Sequence, residues 1–317
     1  MTDLRALRRL EPVFYRAPSA HNTQPWVLEY EAERIELRFD AARHLDAGDP
    51  TRRDLFLSLG AFVEAVLIAG AADGVGLEFR PEVEGTRVGS FGANGAYATR
   101  FSPADLERRQ TSRLRYEPER IDARALATAR EELADPARLH ELSAREVVDL
   151  FVAADRHLYE TPPVVDELRS WLRLSKRDPR YDQDGLSYEC LDLSRVEAAA
   201  VSFLLRPSVY PAVRALRVHR AFTSSAKSVL ERDGSILVLE GPAGGPADLL
   251  AHGRSLLRVW LALSSLGAYT HPLSQIIDCP ATEAALAERL ELPPERRLLS
   301  VFRAGRSDQP ARSGRLR

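Results

Sequence analysis

Cysteine is nearly missing from this 317-residue chain: Cys190 and Cys279 are its only two. Two thiols cannot build a disulfide framework, and neither lies in a Cys-x-x-Cys pair, so the sequence predicts a reducing, cytoplasmic setting. Lysine is as scarce, present only as Lys176 and Lys227, and arginine supplies the remaining basic charge. The net charge of −2 excludes the strong basic excess expected of a nucleic-acid binder. No unbroken apolar run reaches the ~18–20 residues of a membrane span, and Met1-Thr2-Asp3-Leu4-Arg5 carries no apolar signal core. The seven histidines are scattered, with no His-x-x-Glu-His or His-x-x-x-His pair, so no metal site is expected. What remains is an ordinary globular composition, 44% hydrophobic and 28% charged, on a chain long enough for two lobes sharing a core.

The densest chemistry lies in Ala17-Pro18-Ser19-Ala20-His21-Asn22-Thr23-Gln24-Pro25-Trp26. Pro18 and Pro25 fix their own φ and push the preceding residues toward extended geometry. Ser19, Asn22, Thr23 and Gln24 then offer donors and acceptors from a constrained backbone. Such a loop suits the edge of a flat, hydrogen-bonding ligand. The same residues also describe a plain Asx turn entering a strand, with Trp26 as core.

Hydrophobic periodicity predicts a helix over residues 4–15 and paired strands at 26–30 and 34–39. It predicts a helix over 51–72, strands at 77–83 and 96–101, and a helix start at Ser102-Pro103. Further on it predicts strands at 235–240 and 298–302. Residues 146–232 read as helical without strand signals, including an amphipathic stretch at 164–174 and a polar turn at 181–185. Two helices echo each other: Gly60 and Gly74 have the same spacing as Gly253 and Gly267, and both segments place apolar residues on one face. Together these elements predict an α+β fold with mostly antiparallel sheets.

A second polar cluster is Arg108-Arg109-Gln110-Thr111-Ser112-Arg113-Leu114-Arg115. Alternation along an extended segment sends Arg109, Thr111, Arg113 and Arg115 to one side, where guanidinium groups flanking a hydroxyl suit a phosphate. A solvated basic turn is the plainer reading.

Pro18, Ser19, Asn22, Gln24, Pro25 and Trp26 resemble, position by position, the flavin-binding signature of the nitroreductase superfamily. Arg109, Thr111 and Arg113 resemble its phosphate segment, with Thr in place of the usual Ser. The resemblance implies FMN as cofactor: Arg109 and Thr111 at the phosphate, Arg113 near flavin N1 and O2, and Pro18, Ser19, Asn22 and Gln24 against the ring. Leu266-Gly267 through Gln275 resembles the family's Gly-Leu-x-x-x-Pro segment, which places amides just past Pro272, at Leu273 and Ser274, by N5 and O4. Leu273 and Ser274 stand where the family has Glu-Gly. Arg312 and Arg315 resemble the terminal basic pair that closes over the phosphate; a disordered basic tail is the alternative.

The order of the motifs is unusual, because the Pro-Ser loop precedes the basic segment by almost ninety residues. The resemblance is therefore to a fused subgroup that includes the actinobacterial dormancy-induced flavoproteins. It implies a nitroreductase-like pseudo-dimer of an N-terminal lobe (1–101) and a C-terminal lobe (102–317). A helical lid covers about 160–232, with one complete FMN site and one vestigial site per chain. The implied activity is hydride transfer from NAD(P)H through the flavin to a nitro, quinone or similar small-molecule acceptor. The other implied readings are a flavin-storing protein with little turnover and an oxidase or dehydrogenase of a biosynthetic intermediate. The expected assembly is a monomeric pseudo-dimer or a homodimer. Ser224-Ser225-Ala226-Lys227 matches a Ser-x-x-Lys hydrolase pattern only superficially, since its companion motifs are missing.

Overall fold

The computed structural model describes residues 3–93, 95–218 and 234–316. Ser224-Ser225-Ala226-Lys227 and the end of the expected lid lie outside the described residues. Strands β1 (Trp26–Tyr30), β2 (Arg34–Phe39), β3 (Leu77–Glu84) and β4 (Arg87–Ala93) form one sheet in the order β1-β2-β4-β3. β5 (Arg138–Ser143), β8 (Ser235–Pro242), β9 (Tyr269–Pro272) and β10 (Arg296–Gly305) form another in the order β5-β8-β10-β9. Every pairing in both sheets is antiparallel. β6 (Leu172–Arg173) and β7 (Leu186–Ser187) form a small parallel pair between them in sequence. The fold is α+β, and the two large sheets share one strand order, in which the two strands after the long central helix insert in reverse, although further helices and β6–β7 lie between β5 and β8 and two short helices between β9 and β10.

The helix inside each unit explains the glycine echo. Arg53–Ala72 and Pro246–Ser265 are both twenty residues long, and Gly60 and Gly253 each fall in the eighth position. The two helices cross at these glycines. A methyl group on Gly60 would sit 2.2 Å from the Leu250 carbonyl oxygen, and one on Gly253 would sit 2.2 Å from that of Leu57. Only a residue without Cβ permits so close a backbone approach. Each helix then ends on a left-handed glycine, Gly74 at φ +77 and Gly267 at φ +82. The matching closing bonds run from the Val75 amide to the Gly70 carbonyl and from the Ala268 amide to that of Leu263, at 2.9 and 3.1 Å.

Apolar side chains from both helices and both sheets merge into one core. Trp26 is buried and stacks on Phe62 with ring centroids 4.4 Å apart, so it anchors the loop in the core. Arg53–Ala72 is long and apolar enough to cross a membrane, but 89% of its apolar window is buried between the sheets.

Three local expectations are corrected. Residues 96–101 form no strand; the missing strand is β4, entered through Gly85 at φ +57. Its Gly89 and Gly92 dilute the apolar alternation that periodicity relies on. The N-terminal helix is a 3-10 segment, Leu4–Leu10, followed by one α turn, Glu11–Phe14, because Pro12 lacks the N–H that would continue the ladder. Within 146–218 there are helices Val148–Glu160, Pro162–Trp171, Arg195–Leu204 and Tyr210–Ala215, but also β6 and β7.

Candidate functional site

The loop before β1 is held in an uncommon backbone. His21, Asn22 and Gln24 all have positive φ, at 46°, 56° and 51°. Each such residue costs on the order of 1–3 kcal/mol and persists only where its surroundings enforce it. Here they do. Ser19 Oγ accepts from the Gln24 amide at 2.9 Å, and Ser58 Oγ on the first central helix accepts from the Ala20 amide at 3.2 Å. The Gly185 amide donates to the Asn22 carbonyl at 3.2 Å, docking the polar turn 181–185 onto the loop. That turn is fixed in turn by Asp184, fully buried and paired with Arg173 at 2.6 Å and Arg43 at 3.1 Å.

The amides expected to read a ligand edge read this chain instead. Asn22 Nδ2 donates to the Gly185 and Gly314 carbonyls at 3.2 and 3.1 Å, while its Oδ1 accepts from Arg315 Nη1 at 2.9 Å. Gln24 Nε2 donates to the Gln183 carbonyl at 2.7 Å, and its Oε1 accepts from the Leu316 amide at 3.0 Å. Without a ligand, both side chains bond to the 181–185 turn and the C-terminal tail. At the end of the tail, Arg315 is drawn inward against the loop.

Beside the tail, arginines gather without acids. Arg16 and Arg109 are buried, at 7% and 3% exposure. Arg109 Nη2 donates to the Arg16 carbonyl at 3.0 Å, and Arg16 Nη1 donates to the Ser313 carbonyl at 3.2 Å. Arg315 Nη2 reaches the same Arg16 carbonyl at 3.3 Å. Arg109 Nε and Nη1, Arg16 Nε and Arg315 Nε are buried with no hydrogen-bond partner. Among the described residues no carboxylate pairs with any of the three. Burial first, then mutual repulsion, weakens their hold on the proton. Arg16 is pushed down to about 10 by burial and Arg312, Arg109 to about 9 by burial and Arg16, and Arg315 well down by burial, Arg16 and Arg109. An anion among these guanidinium groups would offset that cost. Arg312 stands at the rim, exposed and paired with Glu107.

The basic segment supplies the opposite wall. Arg109 leaves the helix Pro103–Arg108 and lays its guanidinium 5.8 Å from the Trp260 ring centroid. Thr111 then bridges Thr270 of β9, and the Ser112 amide donates to the Thr270 carbonyl at 3.1 Å. Ser112 faces the opposite way, buried against Ser307 Oγ at 2.8 Å, as alternation requires. Arg115 is exposed, so the expected single-sided row ends at Arg113. Arg113 Nη1 donates to the Cys190 carbonyl at 3.3 Å. It also lies close enough to His21 and His271 to help burial hold both rings neutral: His21 falls to about 4 and His271 well below its ordinary value. His21 Nδ1, His271 Nδ1 and Thr270 Oγ1 are further buried polar atoms without a partner.

The Pro272 segment departs from expectation in one atom. The Leu273 amide donates to the Val301 carbonyl at 2.8 Å and its side chain lies in a core cluster, so Leu273 offers no amide to a ligand. Ser274 begins the turn Gln275–Asp278. Sequence reasoning missed Arg16, His21, His271 and the Cys190 carbonyl. Arg16 could have been found, as the one basic residue abutting Ala17-Pro18; the histidines carry no spacing that marks them.

No protein-family model matches the chain, and no curated protein does. Among solved structures the chain is similar to the FMN- and NADPH-dependent nitroreductase NfnB from a Sphingopyxis strain, at 18% identity and a TM-score of 0.37 over 65% of this chain and 87% of that one. It is similar to the FMN-dependent nitroreductase NfnB from Mycobacterium smegmatis in complex with NADPH, at 16% identity and a TM-score of 0.38, over 67% and 95%. It is also similar to oxidised iodotyrosine deiodinase bound to FMN and 3-iodo-L-tyrosine, at 15% identity and a TM-score of 0.34, over 66% and 91%.

Proposed function

We propose that the protein is an FMN-dependent oxidoreductase of nitroreductase type. In this reading it takes hydride from NAD(P)H and passes electrons to a nitro, quinone or similar small acceptor. The observation that carries the proposal is the acid-free trio Arg16, Arg109 and Arg315, whose buried unpartnered N–H groups need a phosphate-like dianion. The motif resemblance at residues 18–26 and 109–113 then selects FMN among phosphate-bearing molecules. Arg312 closes the rim, and Thr111 adds a hydroxyl beside Arg109. We place the division between the lobes at residues 101 and 102, so that one lobe supplies the Pro-Ser loop and the other the basic segment.

Bound FMN supplies two-electron redox chemistry, and the chain supplies position and charge. Arg113, tethered to the Cys190 carbonyl, is a fixed cation that stabilises negative charge developing beside it in a dry site. His21 and His271 stay neutral there, so they offer hydrogen bonds without adding to the positive potential. Pro18 and Ser19 hold the loop's shape, and Pro272 ends β9 before Ser274.

A specific observation favours a second reading, a flavin-holding protein with little turnover: the tail and the 181–185 turn occupy the polar groups of Asn22 and Gln24. One experiment separates the outcomes. Purified protein is examined for the visible flavin absorbance, titrated with FMN, and assayed for NADPH and NADH oxidation with a nitroaromatic and a quinone. Flavin uptake with turnover supports the first reading, and uptake without reduction supports the second. Colourless protein that binds no FMN overturns both.

A further inference from the structure

Loop, turn and tail meet around one carboxylate that lies on neither cofactor segment. Asp184 is buried, and its Oδ1 accepts from Arg173 Nε at 3.1 Å and from Arg173 Nη2 at 2.6 Å. Its Oδ2 accepts from Arg43 Nη1 at 3.1 Å, and the same Nη1 donates to the Thr23 carbonyl at 2.7 Å. Arg173 is buried as well, with its Nη1 on the Ser170 carbonyl at 2.7 Å. Both guanidinium groups lie near the buried Trp171 ring, 5.8 and 5.9 Å from its centroid. The chain leaves Asp184 through Gly185 at φ +73, where a Cβ would sit 2.4 Å from the Trp171 carbonyl oxygen.

The turn seated in this way holds two segments at once. The Gly185 amide and carbonyl grip Asn22, and the Gln183 carbonyl accepts from Gln24 Nε2. The Asp182 carbonyl accepts from the Arg315 amide at 3.2 Å, and Gly314 packs against the same peptide. We propose that Asp184 is a positioning residue of the cofactor site, setting both the loop expected at the flavin ring and the tail arginine at the phosphate. It acts through Arg43 on the Thr23 carbonyl, and through its own turn on Asn22, Gln24 and Arg315. Charge is essential to this role, because an uncharged side chain of the same size holds two guanidinium groups far less firmly. Arg43 also approaches Asp40 at 3.6 Å and so keeps an acid when Asp184 is replaced. Arg173 keeps none among the described residues. Residues 172–187 thereby belong to the wall of the site.

The assignment rests on the FMN reading, and the experiment keeps the two apart. FMN, and riboflavin, which lacks the phosphate, are each titrated into the full-length protein by fluorescence quenching. Visible circular dichroism of the bound flavin reports how the ring is held. Asp184→Asn should weaken riboflavin binding roughly tenfold and FMN binding roughly hundredfold, the worth of one and of two charge-assisted hydrogen bonds, and should alter the dichroism. Arg109→Met, at the phosphate alone, should weaken FMN binding and spare riboflavin. Arg43→Met, at the half-buried edge of the network, should give the Asp184→Asn pattern more weakly, and it carries the test if Asp184→Asn does not fold. Arg43→Lys, which keeps the charge, should restore part of the loss. Wild-type protein that binds neither flavin overturns the FMN reading and this assignment together. If the wild type binds FMN, and the variants at 184 and 43 match it in both affinities and in dichroism, the assignment alone falls. A purely structural Asp184 would give that second result with a lowered melting point.

Discussion

Arg109→Met gives the sharpest test of the cationic site because its two expected effects have opposite signs. Two of the Arg109 nitrogens, Nε and Nη1, are buried without partners. If a phosphate satisfies both, their loss costs about 3–6 kcal/mol at ~1.5–3 kcal/mol per charge-assisted bond, and weakens FMN binding roughly 10²- to 10⁴-fold. In the ligand-free protein the same substitution removes a cation that burial and Arg16 together push down to about 9. That penalty amounts to several kcal/mol at ~1.4 kcal/mol per pH unit. Against it stand the lost bond to the Arg16 carbonyl and the reduced packing on Trp260. The net expectation is a gain of about 1 kcal/mol, or a melting point higher by about 2 °C. The assay is a thermal melt with and without FMN, alongside quenching of FMN fluorescence. A structural role for Arg109 predicts destabilisation of the ligand-free protein instead. A variant that melts lower without ligand and still binds FMN at wild-type affinity would refute the reasoning.

Gly60→Leu should destabilise by about 3 kcal/mol or more, since even its Cβ would lie 2.2 Å from the Leu250 carbonyl oxygen; chemical denaturation measures it. Gly314→Ala places a methyl group 2.4 Å from the Asp182 carbonyl carbon, and should release the tail from Asn22 without unfolding the core. Faster tryptic cleavage at Arg312 and Arg315 with an unchanged melting midpoint is the expected pattern, and an unaltered cleavage rate counts against the tail contact. The neutral His21 makes stability pH-dependent. The unfolded chain takes up its proton below about 6.5, while the folded one resists until about 4, so stability falls as pH drops through that window. His21→Asn should remove about 2–3 kcal/mol of this dependence, read from denaturation midpoints between those limits; parallel curves for variant and wild type would contradict it.

Much of the architecture was legible because it rests on local patterns. β2 alternates apolar and polar residues beyond the polar turn that follows β1, and the two central helices carry an apolar face ended by glycine. The echo of Gly60 and Gly253 carried a long-range fact, because close backbone contact demands the same residue on both partners. β4 escaped because Gly89 and Gly92 stand where apolar residues would mark a buried strand. β5 escaped because its middle residues, His140 and Glu141, are polar yet shielded by Glu240 and Arg120. At the site, the basic segment was recognisable from residue type alone. Most partners of Asn22 and Gln24 were not, since apart from the Arg315 guanidinium they are main-chain groups at 183, 185, 314 and 316, and any sequence offers those. Likewise, the meeting of Arg16 with Arg109 and Arg315 depends on the tail crossing the loop, which no periodicity encodes.

The shared crossing of the central helices carries an evolutionary corollary. A symmetric pair of identical subunits must change both of its clefts whenever one gene changes, so neither can be retooled without altering its twin. With both halves on a single polypeptide, Trp260 can keep Arg109 over its ring while Leu67, at the same position of the other helix, stays an aliphatic core residue. Each half is then free to drift on its own, within the limits set by the shared core and by the two glycines where the helices touch.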